Sequence, residues 1–318
     1  MLNTFLTRNK TVNTGIGKKK KRIKRFIQQR WLIAMIVPAF LILFIFHYIP
    51  IYGIVIAFKN YRAPLGIWGS KWVGFKYFIQ FFQNPFHWRV LRNTVLLGLY
   101  SFLWGFPAPI ILSLLLNEVK HARYKRFVQT ISYLPYFISV VIIVGIMKEM
   151  LAMDGIINNT IAALGGERIG FFIEPKYFRS LYVISGIWQG LGWGTIIYLA
   201  ALAGVDVELY ESAIIDGANR WHQMWHITLP SIMPTIVVLM ILNVRGILGS
   251  DTQKILLMYN PSTYETADTI QTYVFREGIE GAQYSYSTAV GLLMSVISFI
   301  ILYITNKIAQ KTSDYSLW

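Results

Sequence analysis

The chain predicts an all-α integral membrane fold of six transmembrane helices, with a polar helix pair between the fourth and the fifth. Three observations carry this. Of the 318 residues, 55% are hydrophobic and only 14% are charged, whereas about 25% of a soluble domain is charged. Six separate stretches reach the ~20 apolar residues that a helix needs to cross a bilayer. One polar interval, Gly204 to Pro234, breaks this pattern with two short helical segments and a turn.

Residues 1–30 read as a basic tail whose charge concentrates in Lys18 to Arg25, KKKKRIKR. Basic runs bind nucleic acid or anionic lipid. An apolar stretch begins within a few residues, so membrane lipid is the expected partner and nucleic acid is not. That apolar stretch is about 25 residues, too long for the core of a signal peptide, and no small-x-small cleavage site follows. It therefore reads as a retained span.

The six spans are expected at Trp31–Phe58, Leu91–Leu116, Val128–Met147, Arg179–Leu202, Pro230–Gly249 and Tyr286–Ile304. Together residues 31–304 make one membrane domain, followed by a tail at 305–318. Pro38, Pro50, Pro107 and Pro109 fall within spans, where a kink is tolerated if neighbours satisfy the freed carbonyls. Residues 59–90 are crowded with aromatics. They read as an interfacial belt with an amphipathic helix rather than as a sugar-contacting surface. Cysteine is absent, which excludes disulfides and thiolate metal sites.

Lys and Arg set the orientation. With the N-terminus inside, the cytoplasmic segments hold 17 of them and the outer segments 9. Both termini are then cytoplasmic, and so is the loop 204–230. Within that loop, Asp206 is placed to N-cap a first short helix and Asn219 a second. Gly217 suits the turn between them because glycine tolerates positive φ. Pro230 is expected at the first position of the next span.

The chemical motifs are mostly exclusions. No Walker A pattern is present, so the chain should not hold ATP in a P-loop. G-x-S-x-G and H-E-x-x-H are also missing. His222 and His226 have metal-ligand spacing, but position 223 is Gln and no third ligand is near, so no metal is expected. Gly186, Gly190 and Gly194 form GxxxGxxxG, read first as a helix-packing face. Trp188 and Gln189 lie near mid-membrane depth, and a buried Gln there needs a partner or a wet path. Asn243 and Arg245 in the fifth span raise the same question, so these four are the candidate pathway residues.

The polar interval then acquires a resemblance. Glu211-Ser212-Ala213-Ile214-Ile215-Asp216-Gly217-Ala218, continuing to Ile227-Thr228-Leu229-Pro230, is similar to the cytoplasmic coupling loop of ABC importer permeases, roughly E-A-A-x-x-D-G-A followed by I-x-L-P. Ser212 departs from the pattern by a small-for-small change. Met224 stands where the family usually has Phe. The tail from Tyr264 to Trp318 is similar to the LplB-like branch of carbohydrate permeases, associated with complex oligosaccharides and polysaccharide fragments.

The resemblance implies a type I ABC importer permease fold in a bacterial cytoplasmic membrane, and a transport subunit rather than an enzyme. It implies a second permease chain, two ATPase subunits that bind ATP and Mg, and an external solute-binding protein. Glu211 would pair with a basic group on the ATPase. Gly217 would permit close backbone approach, and Met224 with Trp225 would supply the apolar anchor. The same motif covers Ala213, Asp216, Ala218, Ile227, Leu229 and Pro230. The coupling loop does not discriminate cargo, so a permease for peptides, amino acids, phosphate or metal stands beside the sugar reading. An intramembrane enzyme would need a polar catalytic pair at matching depth, and none is apparent. A secondary transporter usually shows internal repeats and buried acids, and acids are nearly absent from these spans.

Overall fold

The computed structural model describes residues 29–312, so the basic run Lys18 to Arg25 lies outside the described residues. The chain divides into two compact units, Met1–Val55 and Ile56–Trp318.

Among the described residues, five helical stretches are long and apolar enough to cross a membrane. They are α1 (Arg30–Phe58), α3 (His87–Glu118), α7 (Pro175–Leu202), α9 (Arg220–Leu248) and, last in the chain, α12 (Tyr284–Thr312). A sixth crossing exists only if a bent pair, α4 (Ala122–Tyr133) and α5 (Val140–Met150), counts as one; the short α6 (Ile156–Ala163) follows it.

That pair corrects the expected continuous span Val128–Met147. Its two arms meet at 99°. Pro135 lacks the N–H that would continue the helix, so the chain tightens into a 3-10 turn at Leu134–Phe137. Ile138 is then extended, and Ser139 restarts the chain as an N-cap, its hydroxyl accepting from the Val141 N–H. The break is seated on α7. Gln189 Nε2 donates to the Ile138 carbonyl at 3.2 Å, and the Tyr136 ring stacks on Trp193 with centroids 4.5 Å apart. Gly192 has no side chain to obstruct the approach, and a Cβ there would overlap the Ser132 carbonyl.

A second correction concerns Pro230. It does not begin a helix, because α9 already starts at Arg220 and runs through it. The helix passes the proline by widening into a π turn at Met224–Thr228. The same device occurs in α1, where a π turn at Phe44–Tyr48 ends two residues before Pro50. In both places the wider turn relieves the clash and the missing donor that proline imposes on a regular ladder.

Residues 59–90 are also not purely helical. Strands β1 (Lys59–Arg62) and β2 (Ser70–Trp72) pair antiparallel, with Lys59 opposite Trp72. Gly66, at φ 63°, allows the reversal. Amphipathic α2 (Lys76–Gln83) follows and buries Phe81. Ser285 at the start of α12 ties the hairpin down, donating to the Lys59 carbonyl at 2.6 Å and accepting from the Tyr61 N–H at 2.9 Å.

The segment between α9 and α12 plugs the end of the bundle where α3 and α7 begin. It holds α10 (Thr252–Met258) and α11 (Ile270–Phe275). Its hub is Asp268, which is fully buried. Asp268 accepts two hydrogen bonds from Arg276 at 3.2 and 2.9 Å, one from Thr272 at 2.9 Å and one from Arg89 at 3.4 Å. Burial pulls the Arg276 guanidinium down, but the Asp268 hydrogen bond and charge outweigh it and leave it raised. Buried Asn93 on α3 donates to the carbonyls of Glu265 and Asp268 and accepts from Arg179 on α7.

One close contact sets the spacing of the bundle. At Gly98 on α3, a Cβ would overlap the carbonyl of Ile247 near the end of α9. Neither backbone can rotate away, so Gly98→Ala is expected to cost at least the ~1–3 kcal/mol typical of overpacking. The readout is a lower melting temperature of the detergent-purified protein. An unchanged value would mean that the two helices separate freely.

Candidate functional site

Two features stand out, a helical hairpin at one end of α7 and a cavity along its middle. The hairpin is built from local rules. α8 (Val207–Ile215) begins at Asp206, whose side chain accepts from the Glu208 N–H. It ends in a Schellman cap. The Gly217 N–H bonds to the Ile214 carbonyl at 3.0 Å and the Ala218 N–H to the Ala213 carbonyl at 2.8 Å. Gly217 sits at φ 81°, the left-handed conformation this cap requires. Ala213 and Ala218 are the two half-buried positions that close it. Asn219 then caps the start of α9 by accepting from the His222 N–H at 2.9 Å.

The hairpin is fastened to the membrane span. Tyr210 on α8 hydrogen-bonds Thr228 on α9 at 3.0 Å, and Gln223 Nε2 donates to the Ala218 carbonyl at 2.8 Å. α8 is therefore tied to α9 by hydrogen bonds and by the short Asp216–Asn219 turn.

Its outer surface is apolar with acidic points. Val207, Leu209, Ile214, Trp221 and Trp225 are exposed, and Ile215 is 87% exposed. Glu211 and Asp216 are also exposed, and no ion pair among the described residues engages Glu211. Met224, Ile227 and Leu229 are half-buried, while Pro230 is exposed. Ile214, Ile215 and Trp221 extend this apolar surface beyond Met224 and Trp225. Their signal was present, since large apolar residues in a polar interval are expected to be covered by something. His222 and His226 stack at 5.0 Å, and His226 Nδ1 lies 3.0 Å from the His222 carbonyl. Among the described residues, no group of three or more potential metal ligands occurs.

The cavity has a volume of about 550 Å³ and lies between α3, α7 and α9, with α10 at one side. Gln189 and Asn243 line it, but Trp188 does not; Trp188 is half exposed elsewhere on α7. Gln189 uses its amide on the Ile138 carbonyl, and Asn243 Nδ2 donates back to Leu239 in its own helix. Arg245 opens the 3-10 turn Arg245–Leu248.

The glycine triplet does not behave as one packing face within this chain. Only Gly194 is close-packed, with Pro109 2.8 Å from where a Cβ would stand. Gly190 meets nothing within 4 Å, and Gly186 has only the Lys254 ammonium near, at 3.6 Å. Both border the cavity. The tight approach in α7 comes at Gly192, outside the triplet, because the close partner is the backbone of the broken span rather than another regular helix.

Lys254 and Asp251 are cavity residues without an assigned role in the motif. Asp251 caps α10 and accepts from the Lys254 N–H, while its own N–H donates to the Tyr182 hydroxyl at 2.9 Å. The Lys254 side chain is 3% exposed. Its Nζ lies 3.3 Å from the Tyr182 carbonyl and 5.1 Å from the Tyr182 ring centroid. The available signal was a lysine at the edge of an apolar run, three residues after an aspartate.

Residues 105–314 match the family of binding-protein-dependent transport system inner membrane components. The chain is 47% identical to Protein LplB of Bacillus subtilis (strain 168), over 92% of each chain. It is 44% identical to the polygalacturonan/rhamnogalacturonan transport system permease protein YteP of the same organism, over 96% of this chain and 97% of that one. A chain of a bacterial alginate ABC transporter, solved in complex with an alginate pentasaccharide-bound periplasmic protein, superposes with a TM-score of 0.85. It is 39% identical and the match covers 92% of this chain and 99% of that one. The spans and the capped hairpin are thus those of a type I ABC importer permease, and the chain belongs to the binding-protein-dependent inner membrane components, as a transport subunit and not an enzyme.

Proposed function

We propose that this chain is one half of the pathway of an ATP-driven importer that carries an oligosaccharide or polysaccharide fragment across a bacterial cytoplasmic membrane. The observation that supports it most is the hairpin 204–230. Its capped helices are bonded to a span while large apolar side chains and four acids, Asp206, Glu208, Glu211 and Asp216, remain exposed. Exposed aromatics of this kind are typical anchors of a protein interface.

In this reading the hairpin, the tail 1–30 and the tail 305–318 face the cytoplasm. Two ATPase subunits hold ATP and Mg, and each permease of a pair inserts one hairpin into an ATPase cleft. Glu211 meets a basic group there, and Ile215, Trp221, Met224 and Trp225 supply the apolar contact. An external solute-binding protein delivers the cargo to this chain and a second permease chain. Sugar is favoured over peptide, amino acid or ion by the cargoes that name YteP and the alginate transporter.

The reading is tested in proteoliposomes holding both permeases, the ATPases and the binding protein. Oligogalacturonide accumulation should require ATP on the hairpin side. Accumulation of peptide or amino acid with no uptake of oligosaccharide would replace the cargo assignment. Uptake independent of nucleotide would remove the coupling assignment.

A further inference from the structure

A buried ammonium in the membrane domain demands an explanation. Removing a charge from water costs several kcal/mol unless an opposite charge or ample hydrogen bonding offsets it. Lys254 is 3% exposed, and no carboxylate among the described residues lies within ion-pair distance of it. Its partners are the carbonyl and ring of Tyr182, together with whatever fills the cavity it borders. Asp251 sits on the same turn but spends an oxygen on the α10 N-cap.

The surroundings keep this ammonium open to the cavity. Gly186 is the nearest position on α7, with its notional Cβ 3.6 Å from Nζ. Gly186 and Lys254 both border the cavity, so the ammonium stands at its wall beside a position without a side chain. Gly190, one turn on, also leaves open space. Burial pulls the Lys254 ammonium down to about 8, partly opposed by Asp251, so it is still mainly protonated at neutral pH. A cavity of about 550 Å³ is within the ~300–1,000 Å³ of sites that enclose small ligands.

We propose that the cavity passes an acidic oligosaccharide, one containing uronate units, and that Lys254 recognises its carboxylate and sets the preference for charged over neutral sugar. The proposal rests on the oligosaccharide reading above. A carboxylate entering beside Gly186 supplies the direct ion pair that Asp251, acting on Lys254 only from beyond ion-pair distance, does not make. The ammonium is held in one position by Tyr182, so little reorganisation is needed when the sugar arrives. A neutral sugar of the same size leaves the ammonium with only the weaker, longer-range field of Asp251.

The test compares two probes of equal ring count, trigalacturonate and its fully methyl-esterified, neutral counterpart. Both are offered to the complete transporter in proteoliposomes. The unaltered transporter should show a KM for the acid at least tenfold below that for the ester. Lys254→Gln should raise the KM for the acid about tenfold and leave the KM for the ester and the maximal rates within twofold. Lys254→Arg should retain most of the preference. Equal handling of the two sugars by the unaltered transporter overturns the proposal without recourse to any variant, and so does a Lys254→Gln transporter that keeps the preference. Uptake of neither sugar, with ATP hydrolysis still coupled to another solute, overturns the oligosaccharide reading itself, and the role of Lys254 falls with it.

Discussion

Glu211→Ala and Gly217→Pro are each expected to reduce ATP-driven uptake by on the order of 100-fold, the scale of losing a central interface anchor, while membrane insertion is unaffected. The two act differently. Glu211 lies exposed on α8 and engages no ion pair among the described residues. Its removal costs the isolated permease little and acts only when the ATPase is docked. Gly217 acts through shape. Proline has no N–H for the Ile214 carbonyl and cannot reach φ 81°, so the Schellman cap opens. The Gln223–Ala218 bond is then lost with it, and α8 is no longer aligned on α9. Gly217→Ala provides a graded control. It keeps the N–H and accepts about 1–2 kcal/mol of left-handed strain, so uptake should fall by less than with proline. Insertion is checked by membrane fractionation and docking by co-purification of the ATPase. If both Glu211→Ala and Gly217→Pro transport normally, the coupling assignment is wrong.

Asp268→Ala should produce the largest loss of stability, about 3–5 kcal/mol, because deleting one member of a buried ion pair strands the other. Asp268 has no exposed surface and gathers Arg89 at the start of α3, Arg276 after α11 and the Thr272 hydroxyl. Without it two guanidinium groups remain half-buried with no carboxylate. The segment that closes this end of the bundle would loosen from α3 and α7. The readout is the melting temperature of the detergent-solubilised protein, with proteolysis of the 250–283 segment as a local probe. Asp268→Asn keeps the shape and some hydrogen bonds, so it should fall between the two. An alanine variant as stable as the parent would show that the arginines are fully hydrated and that the cluster is decorative.

The capped hairpin 204–230 was legible in the sequence because its geometry is local. Its caps join residues two to five apart, and the motif's Ala213, Gly217 and Ala218 are the positions of one Schellman cap. Five of the spans were legible for a similar reason, since a bilayer sets their length and composition. Their ends were misjudged by several residues because polar first turns, as at His87 and Pro175, continue a helix beyond its apolar part.

The break in the third span was marked by Pro135, yet its outcome was not readable there. Pro38 and Pro234 both sit inside continuous helices. A proline becomes a 99° break only where a neighbouring helix can accept the exposed backbone, as Gln189, Gly192 and Trp193 do here.

By itself, then, the sequence determined the membrane class, five of the spans and the capped hairpin, all of which depend on short-range periodicity, capping and the thickness of the bilayer. Only the tertiary structure decided which polar residues face the cavity. Lys254 meets Tyr182 from 72 positions away and Asp268 meets Arg89 from 179. Gly186 borders the cavity with the Lys254 ammonium near it, rather than packing against another helix. Such roles depend on which helix faces which, and no local pattern encodes that.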